Sequence, residues 1–128
     1  LLDVPEETLS RSMQLFRKLS ELMQNEKPFT DPELNRKKLA DRLNTNEAYL
    51  ADAIREVTGK TFSAYISELR LQYTLELLNE HHDMTFDAIA IDSGHGSYSS
   101  FFRLFTKKYG ITPSEYRKLA VTKTAPAL

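Results

Sequence analysis

At 128 residues, 41% of them apolar, the chain has enough apolar side chains for one compact unit or two small ones. No apolar run approaches the roughly 18 residues a membrane-spanning helix needs, and the absence of cysteine removes disulfides and thiolate zinc sites while fitting a reducing, cytoplasmic setting. The formal net charge of -1 conceals segregation: residues 61–92 carry Arg70 alone against six carboxylates, and residues 93–128 carry six cations against Glu115 alone.

The opening "LLDVPEETLSRS" has neither an initiating methionine nor a basic start followed by an apolar core, so it reads as part of a longer protein rather than a signal peptide. Leu9, Met13, Phe16, Leu19, Leu22 and Met23 recur at helical spacing and predict a helix from about 7 to 25. "EKPFTDPEL" breaks it with two prolines. Thr30-Asp31-Pro32-Glu33 has the pattern of a capped helix start, with a short helix through "NRKKLADRL" to follow. Asn44 to Glu47 offers the next cap, for a helix with Leu50, Ile54 and Val57 on its apolar stripe and Gly59 as its stop. Phe62, Tyr65, Ile66, Leu69, Tyr73 and Leu77 mark a longer helix over 62–80.

Thr85 caps a short helix bearing Phe86, Ile89 and Ala90. After "SGHGS", Phe101, Phe102, Phe105 and Tyr109 define another helix, stopped by Gly110. Thr112-Pro113-Ser114-Glu115 is a capping box with proline at the first helical position, for a last helix to about Leu119, and the tail "VTKTAPAL" is expected to be disordered.

These elements repeat. Leu50, Ile54, Gly59, Thr61 and Tyr65 return fifty-one positions later as Phe101, Phe105, Gly110, Thr112 and Tyr116, and Leu39-Ala40 returns fifty later as Ile89-Ala90, so the extra residue falls in the turn. A short helix followed by a tight turn and a second helix is the helix-turn-helix, whose second helix can enter the DNA major groove while the first braces it. The second copy has what that requires. Phe101 and Phe105 face inward; Ser97, Tyr98, Ser99 and Arg103 can face outward; Lys107 and Lys108 supply charge for phosphates. Arg103 can donate two hydrogen bonds to guanine O6 and N7. The first copy exposes Glu47, Asp52 and Glu56 beside Arg55, and its positive charge sits on Arg36, Lys37 and Lys38 of the bracing helix. The two copies are therefore expected to contribute unequally.

Other chemistries fit poorly. Gly94-His95-Gly96 begins like a phosphate loop, but Ser99 stands where the third glycine belongs and no second strand follows. His81, His82 and Asp83 are adjacent at a helix end and do not converge on one ion, so they read as a solvated turn. No catalytic triad or carboxylate pair stands out, and neither an enzyme nor a cofactor is expected. The competing reading is a helical interaction module whose basic C-terminal face binds an acidic protein or membrane surface.

"LADRLNTNEAYLADAIREVTGKTFSAYISELRL" and "IAIDSGHGSYSSFFRLFTKKYGITPSEYRK" resemble the two successive helix-turn-helix halves of the AraC/XylS-type transcription regulators. In the second block Ala90, Gly94, Ser99, Phe101, Arg103, Phe105, Lys107, Gly110, Thr112, Pro113, Tyr116 and Arg117 stand at the family's positions, and the likeness covers about 34 to 119. The resemblance implies an all-α, homeodomain-like architecture: a lead-in helix and linker over 1–30, a first helix-turn-helix over 31–61, a linker helix over 62–82, a second over 83–120, and a tail over 121–128. It implies two readers in major grooves on one face of a double-stranded operator, roughly 10 base pairs apart. Base contacts carry over to Gly96, Ser97, Tyr98, Ser99 and Arg103, and to Asn46, Ala48, Tyr49 and Asp52; phosphate contacts fall to Arg36, Lys37, Lys38, Arg55, His95, Lys107, Lys108 and Arg117. RNA polymerase and an upstream sensor or effector domain are implied as partners. His95 replaces the family's usual phenylalanine, Ser100 a larger aromatic or histidine, and Asp52 the usual arginine. His95 is expected to half-pack where a larger ring usually sits and to face a phosphate.

Overall fold

Side-chain caps set the helix starts. The computed structural model describes residues 4–124, and side chains through residue 120, as seven α-helices and two short 3-10 turns, with no strand among the described residues. By its own contacts the chain divides into two units, residues 1–67 and 68–128, with the boundary inside the fourth helix.

In the first unit, α1 (Arg11–Glu26) starts where the Ser10 hydroxyl accepts from the Met13 amide, four residues later than the apolar spacing predicts, because Glu6–Thr8 forms a separate 3-10 turn. The predicted cap at Thr30 does not start a helix. The Thr30 hydroxyl donates back to the Lys27 carbonyl, and Asp31 accepts from the Glu33 amide in a local turn. The N-cap of α2 (Arg36–Arg42) is instead Asn35, whose side chain accepts from the Lys38 amide. Asn46 caps α3 (Glu47–Thr58), and Gly59 ends it in the left-handed region at φ 75°. Leu19, Leu39, Leu50, Ala53 and Ile54 are fully buried, and Phe16 and Tyr65, whose rings meet edge to face at 5.8 Å, are nearly so. Burial pushes the Tyr65 phenol up to about 12.

The fourth helix, α4, spans Phe62–Glu80 as its apolar spacing predicts. In the second unit its Leu71, Leu77 and Leu78 join Ile89 and Ala90 of α5 (Phe86–Asp92) and Phe101 and Phe105 of α6 (Tyr98–Tyr109) in one core. Thr112 and Glu115 exchange bonds of 3.1 Å each at the start of α7, the reciprocal capping box read from the sequence. That helix spans Pro113–Thr124, longer than the expected end near Leu119, so the first four residues of the presumed tail are helical; Ala125 to Leu128 lie outside the described residues. A helical run of Glu115, Tyr116, Arg117, Lys118 and Leu119 meets no glycine or proline before Pro126, so nothing in the covalent chain stops it earlier.

The sequence repeat is also a structural one. α2 and α5 are 7 residues each, and α3 and α6 are 12 each. The turns close alike, with Thr45 N donating to Ala40 O and His95 N to Ala90 O, both at 3.0 Å. The inserted residue of the second turn is Gly96, whose φ of 82° would strain any residue with a Cβ.

Candidate nucleic-acid interface

α6 is buried on one side and exposed on the other. Phe101 and Phe105 have no exposed surface. At 100° per residue, Ser99 and Arg103 lie nearly opposite them, with Ser100 and Lys107 on one flank and Tyr98 and Phe102 on the other. Gly96, Ser97, Ser99, Arg103, Lys107 and Lys108 are exposed, as expected of reading and phosphate-contacting positions. Arg103, Lys107 and Lys108 form no ion pair with any described residue, so their charge is available to a partner. Ser97 is the N-cap: its hydroxyl accepts from the Ser100 amide at 3.1 Å, which leaves the hydroxyl proton and the first backbone amides of α6 to donate outward.

The first unit offers a different surface. Asn46, Ala48, Tyr49 and Asp52 are all exposed on or beside α3, and Tyr49 is 60% exposed. The Asn46 carboxamide oxygen is used by the cap, accepting from the Tyr49 amide at 2.8 Å, so only its amino group remains to read a base. Each arginine expected at a phosphate has a carboxylate beside it. Arg36 lies 3.7 Å from Glu47, and Arg55 lies 3.7 Å from Asp52. Lys37 pairs with Asp41 at 3.4 Å, and Lys38 donates to the Glu33 carbonyl. All are exposed pairs that contribute little to stability, but they dilute the local positive potential. A cleft of about 720 Å³ runs beside α3, and Tyr49, Asp52 and Arg55 share its wall with Arg11 and Lys18 of α1. Those two cations were not among the expected site residues. Their seven-residue separation, two helical turns, was the signal that they share a face.

Two expected phosphate contacts are turned inward. Arg117 donates to the Met84 carbonyl and lies 4.2 Å over the Phe86 ring, fastening α7 to the start of α5; partial burial lowers its pKa. His95 places Nε2 3.2 Å from the Thr74 hydroxyl and packs its ring 5.4 Å from Phe101. Burial first, and the nearby Arg70 charge second, push its pKa down to about 4. A neutral imidazole brings no positive charge to a phosphate. The half-packed placement expected for it holds, with Nε2 engaged by the Thr74 hydroxyl of α4.

The His95 environment has a pH signature. Between about pH 4 and the ordinary histidine value of 6.5, the unfolded chain binds a proton that the folded one refuses, so stability falls as pH drops through that window. Replacing His95 with phenylalanine should flatten urea-unfolding midpoints between pH 6.5 and 4. The recovered stability should be of order 1–2 kcal/mol after allowance for solvent screening.

The chain matches the model of a family described as "Helix-turn-helix domain" over residues 39–119, which takes in both repeats. It is 34% identical to the regulatory protein SoxS of Salmonella typhimurium over 87 residues, 68% of this chain and 80% of that one. The chain belongs to the AraC/XylS-type helix-turn-helix family. AraC/XylS-type domains bind DNA in transcription regulation and are not enzymes, and membership does not favour the interaction-module alternative. A second relative, the uncharacterized transcriptional regulatory protein YesN of Bacillus subtilis, is 36% identical over 79 residues, 61% of this chain and 22% of its own length. The chain spans between about a fifth and a third of the first such relatives. Among solved AraC-type folds, the C-terminal domain of AraT, a response regulator from Geobacillus stearothermophilus, superposes with a TM-score of 0.75 at 26% identity, covering 86% of this chain and 88% of that one. No described helix is long and apolar enough to cross a membrane, and no three described His or acidic side chains are grouped to hold a metal ion.

Proposed function

We propose that this domain reads a double-stranded operator chiefly through α6, with α3 as an auxiliary that contributes more to placement than to base discrimination. The observation that carries this reading is the asymmetry of charge pairing. Arg103, Lys107 and Lys108 on α6 have no carboxylate partner among the described residues, whereas Arg36, Lys37 and Arg55 face Glu47, Asp41 and Asp52. An arginine already held by a carboxylate must give up that pair to reach guanine; an unpaired one gives up only water.

In this assignment Arg103, Ser99, Tyr98, Gly96 and Ser97 meet bases or the sugar-phosphate edge in one groove, and Asn46, Ala48, Tyr49 and Asp52 line the other. Lys107, Lys108, Lys38 and the displaced Arg36, Lys37 and Arg55 meet phosphates. The organisation that goes with it is a lead-in over 1–30, helix-turn-helix units over 31–61 and 83–120, and a linker helix over 62–82. The greater length of most relatives supports an upstream sensor or effector domain in the whole protein, acting in the cytoplasm. The exposed carboxylates Glu76, Glu80, Asp83, Asp87 and Asp92 suit a surface turned from DNA and available to a basic partner such as RNA polymerase.

Titration of the 128-residue chain against a selected duplex and a scrambled one, over 50 to 200 mM salt, tests the reading. Specific affinity should exceed non-specific affinity by about a thousandfold or more, and both should fall steeply with salt. Equal binding to the two duplexes would remove sequence recognition from the account.

A further inference from the structure

Phe102 has the spacing of a core residue, yet the structure puts it outside the core. It is 37% exposed while its neighbour Phe101 is fully buried. Four residues earlier on the same flank, Tyr98 is 38% exposed. The two rings lie 5.9 Å apart, and Tyr98 is braced from beneath by an edge contact to Phe101 at 6.1 Å. An isolated exposed aromatic needs no explanation. A preformed pair beside Arg103, on a helix whose cations are unpaired, is a different matter, because the charge brings that flank against a polyanion.

We propose that Tyr98 and Phe102 form an apolar clamp for the C5-methyl groups of one or two thymines next to the base pair read by Arg103. The inference rests on α6 being a major-groove reader. The thymine methyl is the one apolar group that base pairs present in that groove, and it distinguishes thymine from every other base edge. The rings have few other uses there. Phe102 has no hydrogen-bonding atom, and a face built for guanine or cytosine alone would leave both rings against polar edges. Because the pair is already assembled, little side-chain freedom is lost on binding.

The test exploits deoxyuridine, which differs from thymidine only in lacking this methyl. Tight-binding duplexes are first selected from a randomised pool by the 128-residue chain, and each thymine in the α6 half of the site is then replaced singly by deoxyuridine. One or two replacements should weaken binding by about three- to fivefold each, the factor expected when one methyl group returns to water. The same replacements should have no effect on Phe102→Ser or on Tyr98→Ser, both of which should keep the wild-type circular dichroism because the positions are exposed. Specific binding indifferent to deoxyuridine, or a deoxyuridine penalty that persists in both variants, would overturn the clamp while leaving the DNA-reading role intact. Failure to select any preferred duplex would overturn the clamp and the reading beneath it together.

Discussion

Phe105→Ala is expected to remove most of the stability of the second unit, about 3–5 kcal/mol in urea unfolding followed by circular dichroism. Phe105 has no exposed surface and stands at the centre of a ring cluster, with Tyr109 at 4.8 Å, Phe101 at 5.7 Å and Tyr116 at 5.9 Å. Truncation removes the ring's burial and leaves a cavity that four converging elements cannot all relax to fill. At roughly 0.05–0.15 kcal/mol per residue, a unit of this size has only a few kcal/mol to lose. Phe102→Ala provides the control on the same helix: an exposed ring of the same chemistry should cost under about 1 kcal/mol. Similar losses at the two positions would mean that the buried and exposed faces of α6 are wrongly assigned.

That contrast also marks where sequence reading stopped. Helix existence was legible because its causes are local: Asn46, Thr85, Ser97 and Thr112 each bond an amide three residues on, and glycine ends α3 and α6 in the left-handed region. The repeat was legible because Leu39, Leu50 and Ile54 and their counterparts Ile89, Phe101 and Phe105 fill equivalent buried positions. Less was legible where several local options compete or where the partner is distant in sequence. Thr30 and Asn35 both had capping chemistry, and the turn following Pro28 decided between them. Phe102 and Phe101 are adjacent and alike, and only packing against α4 and α5 separates their roles. Arg117 and His95 bear groups suited to phosphate, but Met84 is 33 positions from Arg117 and Thr74 is 21 from His95, beyond any local pattern.

Arg103→Ala and Asp52→Ala should have opposite consequences, and the pair tests the unequal-reader model more sharply than either alone. Arg103 is exposed, unpaired among the described residues and directed away from the Phe101–Phe105 core. Its removal should cost about 1–3 kcal/mol, roughly five- to 150-fold in affinity for the selected duplex, with discrimination lost at one or two adjacent base pairs. Binding to scrambled duplex should fall far less, since only one positive charge is withdrawn from the phosphate field. Asp52 occupies the corresponding position, fifty-one residues earlier, and lies 3.7 Å from Arg55. Its removal deletes a charge that repels phosphate and frees a cation that attracts it, so affinity should be unchanged or higher by a few-fold. A loss of specific binding in Asp52→Ala comparable to that in Arg103→Ala would instead assign Asp52 a base contact of its own, a carboxylate accepting from cytosine N4. Arg55 would then be an orienting partner for that carboxylate, and α3 would be a reader equal to α6.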